Sequence, residues 1–298
     1  MLTKRTDLAL EAREIWQESA EKTTKLPGVK ARNAKREGWP ITRVEILDET
    51  GTEALHKPVG TYITVDLTDF RERREDFFGR AVRALGAELK DLLPREGTAL
   101  VVGLGNRAMT PDTIGPAALD HLLVTRHLLR AMPKQFSGLR PVAALATGVL
   151  GTTGVESAEL VRGAAVQVRP DFVVAIDALA ARRMARVCAT VQVSDTGIAP
   201  GSGVGNCRAA LDRDTLGVPV FAIGVPTVVD GATLAADLLE EAGVRDLDPA
   251  SIRGRGQPFM VTPQDIDQRV RDLSKVVGYA LNWALQGLDV DEIDALLS

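Results

Sequence analysis

The sequence predicts an α/β protein, a three-layer α/β/α architecture around a mainly parallel or mixed sheet. Short apolar runs recur at ALVV 99–102, VAALA 142–146, FVVAI 172–176, VCATVQV 187–193 and VFAIG 220–224. Most have no polar face, as expected of strands covered on both sides. Between them lie stretches of helical length and spacing at 112–131, 153–167 and 231–243, the alternation that builds a covered sheet. The run at 187–193 alternates more clearly, which predicts an edge position or an antiparallel pair.

The flanking segments extend this pattern. Residues 1–38 alternate in charge around a thin stripe of Leu8, Ala12, Ile15 and Ser19, read as a solvated surface helix that stops near Leu26-Pro27-Gly28. The leading MLTKRTD has little apolar content and is expected to be mobile. VGTYITVDL at 59–67 alternates as a strand does, and Phe77, Phe78, Ala81, Val82, Leu85, Leu89 and Leu92 recur at helical spacing until Pro94. Thr262-Pro263 is the expected cap of a final long helix with Ile266, Val270, Leu273, Val277, Leu281 and Ala284 as its buried stripe. No repeat, low-complexity tract or linker divides the chain, so one domain is the simplest organisation.

Composition narrows the function. With 298 residues, 45% hydrophobic and 26% charged, the chain is long enough for a large core. A net charge of −4 argues against a nucleic-acid surface spread over the whole protein. Cys188 and Cys207 are the only cysteines, without a CxxC pair, which points to a reducing compartment. There is neither a membrane-length apolar run nor a signal-peptide pattern, so a cytoplasmic location is expected.

Several familiar chemistries fit poorly. Gly103-Leu-Gly105-Asn106-Arg-Ala108 matches a loose dinucleotide pattern, yet Thr110-Pro111 delays the helix that should open inside it, and no acidic residue follows at the ribose-binding distance. The Gly-rich loop GIAPGSGVGN at 197–206 lacks the lysine of a Walker motif, since none occurs between Lys134 and Lys275. That loop reads better as a backbone path for an extended peptide, with Gly201 and Gly203 taking positive φ. There is no GxSxG elbow, and no HExxH or Cys/His cluster for zinc. Cys188 reads as packed within a strand, and Cys207 is a weak nucleophile candidate.

A pair of carboxylates remains. Thr110 suits a helix N-cap and Pro111 the first helical position, which puts Asp112 in a first turn beside the end of the 99–102 strand. FVVAID brings Asp177 to the end of another strand, at the same edge of the sheet, where α/β proteins bind ligands. Singly, Asp112 also suits a first-turn residue and Asp177 an N-cap for ALAARR. Brought together, two carboxyls cannot both ionise easily; one would keep a proton while the other activates water. Asp112, beside a helix N-terminus, is the natural ionised partner. The N–H groups of Gly151, Thr152, Thr153 and Gly154 are candidates to polarise a substrate carbonyl. Thr153 and Glu156 also have capping-box spacing. Asp230 reads first as the N-cap of the 231–243 helix and second as a crevice acid.

These residues lie in long strings that resemble one family, the germination proteases of spore-forming bacteria, which degrade small acid-soluble spore proteins. The strings are RTDLALEA at 5–12, GLGNRAMTPDTIGP at 103–116, GTTGVES at 151–157, AIDALAAR at 175–182, SDTGIAPGSGVGN at 194–206 and IGVPTVVD at 223–230. The resemblance implies that Asp112 and Asp177 are the essential aspartates; no histidine falls at a comparable strand end, which favours an acid pair without metal or cofactor. It implies an endopeptidase made as a zymogen, cutting after Glu or Asp and before an apolar residue. It places the self-cleaved bond at Asp7-Leu8, leaving a short pro-segment 1–7 and a protease domain 8–298. It further implies a homotetramer in the spore core or forespore, whose partners are its substrate proteins, with no direct nucleic-acid or membrane binding. A more distant similarity is to hydrogenase maturation endopeptidases, whose GxGN turn leads to a nickel-contacting acid at the place of Asp112. The alternatives are thus a metal-dependent maturation endopeptidase or a catalytically silent peptide-binding protein.

Overall fold

The computed structural model describes residues 5–19, 26–68, 76–201, 208–244 and 259–297. Its elements begin with helix α1 (Ala9–Ser19), strands β1 (Val29–Arg36) and β2 (Trp39–Ile46), α2 (Glu49–Leu55), β3 (Gly60–Asp66), α3 (Phe77–Leu92), β4 (Ala99–Leu104), α4 (Ile114–Leu119) and α5 (Arg126–Ala131). They continue with β5 (Val142–Gly148), α6 (Leu150–Thr153), α7 (Ser157–Val168), β6 (Phe172–Ala181), β7 (Thr190–Ser194), α8 (Arg213–Leu216) and β8 (Val220–Asp230). The last are α9 (Gly231–Glu241), β9 (Met260–Val261), α10 (Ile266–Gln286) and α11 (Val290–Leu297).

The strands make one sheet in the order β1-β2-β3-β7-β8-β6-β4-β5, with β9 beside β8. The stretch β5-β4-β6-β8 is parallel, whereas β1, β2, β3 and β7 pair antiparallel and join β8 antiparallel. The sheet is therefore mixed, with the expected parallel character confined to one half.

Alternation along the strands sorts their side chains into two faces. One face carries Ile63, Val65, Val101, Val174, Ile176, Val191, Val193 and Ile223, packed on Ala81, Leu85 and Leu89 of α3, Ile114 and Ala118 of α4, and Val270, Leu273, Val277 and Leu281 of α10. On the other face, Leu100, Val102, Val173 and Ala175 meet Ala158 and Val161 of α7. Val44, Ile46 and Tyr62 of the antiparallel half meet Ala9 and Ala12 of α1 and Leu55 of α2. This is the predicted three-layer α/β/α arrangement.

The structure departs from the sequence expectations where a tertiary partner decides. Helix α1 is not a solvated surface helix: its Ala9, Glu11, Ala12 and Ile15 are buried, as is Leu8 just ahead of it. The β1-β2 hairpin was not expected. Its β1 strand, VKARNAKR, is mostly exposed at the sheet edge and has no apolar alternation, and charged residues there discourage pairing with another chain. Its turn, Glu37-Gly38, has positive φ at both residues (52° and 85°), the geometry more often signalled by Asn-Gly.

The expected helix at 112–131 is broken into a 3-10 turn at Thr110–Asp112, α4 and α5. Asn282 holds the break from α10, accepting from the Leu123 N–H at 2.9 Å and donating to the His121 carbonyl at 2.9 Å. Residues 178–181 continue β6 rather than starting a helix at Asp177. Cys188 is buried just ahead of β7, which begins at Thr190, with φ of 50°. The last long helix starts after Asp265; Thr262 instead donates to the Thr227 carbonyl at 3.0 Å.

The segment after β4 lies unusually close to the sheet. A Cβ on Gly103 would stand 2.6 Å from the Gly115 carbonyl oxygen, and one on Gly115 only 2.3 Å from that of Leu104 and 2.5 Å from that of Ile176. These glycines permit backbone to pack on backbone and do not frame a nucleotide phosphate. Gly103→Ala is therefore expected to destabilise the fold by about 1–3 kcal/mol, the usual cost of overpacking. Gly163→Ala, exposed on α7 with nothing within 4 Å of the added atom, is expected to stabilise it by about 0.5–1 kcal/mol. Urea unfolding of both variants checks the contrast.

Candidate active site

A cavity of about 360 Å³ opens at the carboxyl ends of the parallel strands and contains both predicted aspartates in its wall. Gly105 turns the chain out of β4 with φ of 108°. The chain then passes through the 3-10 turn, where Thr110 and Pro111 sit inside the first turn and Met109 takes the cap position expected of Thr110. This return places Asp112 beside Asp177 on β6. Gly148, Val149 and Leu150 add a wall after β5, and Ala199, Pro200, Gly201 and Arg208 another.

The two carboxyls are held differently. Asp112 Oδ2 accepts from the Asn106 N–H at 2.7 Å. Burial raises its affinity for a proton above the usual carboxylate value, while the Asn106 hydrogen bond and the Arg208 charge oppose this. Asp177 is only 6% exposed, and its Oδ1 accepts from the Ala178 N–H at 2.9 Å. Burial first, then the Asp112 charge, pushes its carboxyl well above the ordinary range; Asp7 adds to the rise and the Ala178 N–H opposes it. Of two close carboxyls in a cleft, Asp177 is thus raised further than Asp112, and burial is the main cause at both.

The other predicted residues divide. Asn106 acts through its backbone on Asp112, and its side chain accepts from the Ala108 N–H at 3.0 Å. Gly201 lines the cavity, whereas Gly203 and Cys207 lie outside the described residues. Gly151, Thr152, Thr153 and Gly154 are exposed, away from the cavity wall. The N–H groups of Thr152, Thr153 and Gly154 donate to the Val149 and Leu150 carbonyls within the α6 turn, so they are not aimed at a substrate. At the start of α7 the Glu159 carboxylate accepts from the Glu156 N–H at 3.2 Å, and Thr153 takes no part. Asp230 caps α9 by accepting from the Thr233 N–H at 2.9 Å and lies outside this cavity's wall.

The N-terminal segment enters the same cleft. The Arg5 N–H donates to Thr233 Oγ1 at 3.3 Å, and the Arg5 guanidinium stands 4.0 Å from Asp230. The Asp7 N–H donates to the Ala180 carbonyl at 2.9 Å, and Asp7 Oδ2 accepts from the Ala180 N–H at 2.8 Å. Residues 5–7 are thus tied down rather than mobile. Leu8 is fully buried. Glu11, also fully buried, accepts from the Arg182 and Arg183 N–H groups at 2.6 and 3.0 Å and pairs with Arg186 at 3.3 Å.

A second cavity of about 330 Å³ shares Asp7, Leu179 and Ala199 with the first. Its wall includes Lys57, Tyr62, Gln192 and Thr196. Burial lowers the Lys57 ammonium's affinity for its proton, against the charges of Asp7 and Glu11. Sequence reasoning missed Arg208, Lys57 and Gln192. Only Gln192 left a trace, as a polar residue between two valines of an apolar run. Among the described residues no group of three or more His, Cys, Asp or Glu could hold a metal ion, and no helix is long and apolar enough to cross a membrane.

Residues 9–242 match the family model of the germination proteases. The chain belongs to this family. It is similar to the germination protease of Caldanaerobacter subterraneus, 42% identical over 98% of both chains, and to that of Clostridium perfringens, 39% identical over the whole of both. The enzyme from Bacillus cereus is 45% identical over 79% of this chain and 66% of its own. Among solved structures, the [NiFe] hydrogenase maturation protease HycI of Thermococcus kodakarensis aligns with a TM-score of 0.36 and 17% identity, covering 65% of this chain and 99% of that one. Family membership makes the chain a peptidase of the spore-germination type.

The raised Asp177 carboxyl has a consequence for stability. A carboxyl whose folded pKa exceeds its unfolded one holds its proton more tightly in the folded state, so stability falls as pH rises from the unfolded value through the folded one. Asp177→Asn removes that loss. The variant is expected to match wild type below the ordinary carboxylate value of 3.8 and to gain on it at higher pH, by up to about 1.4 kcal/mol per pH unit across the window. Denaturant titrations at several pH values test this, and a pH-independent difference would mean that folding leaves the proton affinity of Asp177 unchanged.

Proposed function

We propose that this chain is the endopeptidase that hydrolyses small acid-soluble spore proteins in the spore core during germination, cutting after Glu or Asp and before an apolar residue. Asp112 and Asp177 do the chemistry with a water molecule and without a covalent intermediate. The chain is made as a zymogen whose residues 1–7 are removed from a domain spanning 8–298, and the working form is a homotetramer.

One observation carries this reading: Asp7, the residue before the Asp7-Leu8 bond, already lies in the wall of the cleft with Asp112 and Asp177. The Asp7 N–H donates to the Ala180 carbonyl and the Asp7 carboxylate accepts from the Ala180 N–H, so backbone and side chain together hold the segment against the end of β6. The Ala180 N–H faces an acidic side chain before the bond, and the residue after it, Leu8, is buried among apolar groups. An acidic residue followed by an apolar one is the pattern this environment accepts.

The chemistry follows from the unequal carboxyls. Ionised Asp112 takes a proton from water as its oxygen adds to the Asp7 carbonyl carbon. Protonated Asp177 then gives its proton to the Leu8 nitrogen as the C–N bond breaks. The products are a carboxyl at Asp7 and an amine at Leu8. A proton passing from Asp112 to Asp177 through solvent restores the starting state.

Purified full-length protein held at mildly acidic pH is expected to lose residues 1–7 and begin at Leu8, as read by mass spectrometry. Asp112→Asn and Asp177→Asn should each slow that cut, and cleavage of an added spore-protein peptide, by about a thousandfold or more while the peptide still binds. Persistence of the Met1 start in wild type, or full cleavage by either variant, would refute the reading.

A further inference from the structure

We infer that Gln192 is a catalytic residue of this reaction, gripping the peptide on both sides of the Asp7-Leu8 bond and stabilising the negative charge that develops on the Asp7 carbonyl oxygen. The inference rests on the proteolytic reading above and deepens it.

Gln192 Nε2 donates to the Asp7 carbonyl oxygen at 3.3 Å, and Gln192 Oε1 accepts from the Ala9 N–H at 2.8 Å. One side-chain amide thereby spans the bond. Its orientation is fixed by its partners: a carbonyl needs the NH₂ end, and an amide N–H needs the oxygen. The residue is buried at 8% exposure, where a hydrogen bond to a forming anion is worth more than in water.

Sheet register explains the placement. Asp177 pairs with Gly224 across β6 and β8, and Gln192 pairs with the same Gly224 across β7 and β8. Paired residues point to one face, so the carboxyl and the amide stand on one side of the sheet, two strands or about 10 Å apart. Between them Gly224 contributes no side chain, and Leu179 fills the space above it: a Cβ there would meet Leu179 Cδ1 at 2.2 Å. Leu179 and Asp7 belong to the walls of both cavities. The carboxyls thus reach the peptide from the first cavity, and the Gln192 amide from the second.

The division of labour is complete in atoms. As water adds to the carbonyl carbon, the carbon–oxygen π pair moves onto the oxygen, where Gln192 Nε2–H meets it. The pair returns when the C–N bond breaks, and Gln192 ends unchanged. A ground-state contact of 3.3 Å is long for a neutral amide and shortens as its acceptor gains charge.

The test follows the self-cleavage rate of the full chain, with amide hydrogen exchange at Ala9 to report whether the segment remains in the cleft. Gln192→Glu keeps the acceptor for the Ala9 N–H and loses the donor to the carbonyl. We expect a rate at least a hundredfold lower, in the range of about 10²–10³ for one oxyanion donor, with Ala9 protection retained. An unchanged rate, or a rate lost together with Ala9 protection, overturns the inference. If Gln192→Glu does not fold, Gln192→Lys, which keeps a donor and loses the acceptor, should cut within about tenfold of wild type, and a hundredfold loss overturns it. The proteolytic reading fails separately, if wild type does not cut or if Asp177→Asn cuts as fast as wild type.

Discussion

At Gly103, Gly105 and Gly115, backbone lies against backbone with no room for a methyl group, because the chain leaving β4 must double back across the ends of β4 and β6. A Cβ on Gly105 would fall 2.0 Å from the Asp112 carbonyl oxygen, so even one added carbon would push the 3-10 turn away from the sheet. That turn carries Asp112. The meeting of two acidic side chains from sequence positions 112 and 177 therefore depends on three residues without side chains, and the core beneath, from Ile114 to Ile176, supplies the packing that holds them there.

Once the two acids meet, their environments separate their roles. Asp112 keeps a backbone N–H donor and a guanidinium within electrostatic range, whereas Asp177 is more deeply buried, receives one N–H and faces other acids. Burial is the largest influence on both, and Asp177, the more deeply buried, is raised further, with the Asp112 charge adding to its rise. The asymmetry needs no special residue at either place. It comes from one acid lying on a turn at the cleft rim and the other within a strand at its floor.

The N-terminal segment is bound by the same surface. One backbone hydrogen bond ties it to the end of β6, its arginine reaches the cap of α9, and Glu11 in α1 accepts from two backbone N–H groups beyond β6. A fully buried carboxylate with several donors is costly to separate from them, so the anchor lies on the α1 side of the Asp7-Leu8 bond. Residues 5–7, on the other side, are held by a few hydrogen bonds at the cleft. That difference suits the proposed processing, in which one part stays docked and the other leaves.

Much of this architecture was legible in the residues themselves. Apolar runs such as FVVAI and VFAIG report burial on both faces wherever they occur, and Asp112 and Asp177 were marked by their positions after such runs. The β1 strand was not legible, since an edge strand needs no apolar face, and neither was the break between α4 and α5, whose carbonyl and N–H groups are satisfied by Asn282 from far along the chain. The Gly151–Gly154 stretch looked like a donor loop because local spacing cannot tell whether an N–H is already spent inside a short helical turn. By itself, then, the sequence determined the layers, the covered sheet and the placing of Asp112 and Asp177 at one edge of it, because these depend on burial and local turn chemistry. Which strands are neighbours, the deeper burial of Asp177, and the convergence of Gln192 with Asp7 were decided only by tertiary structure, because each depends on the distance between groups that the chain order keeps apart.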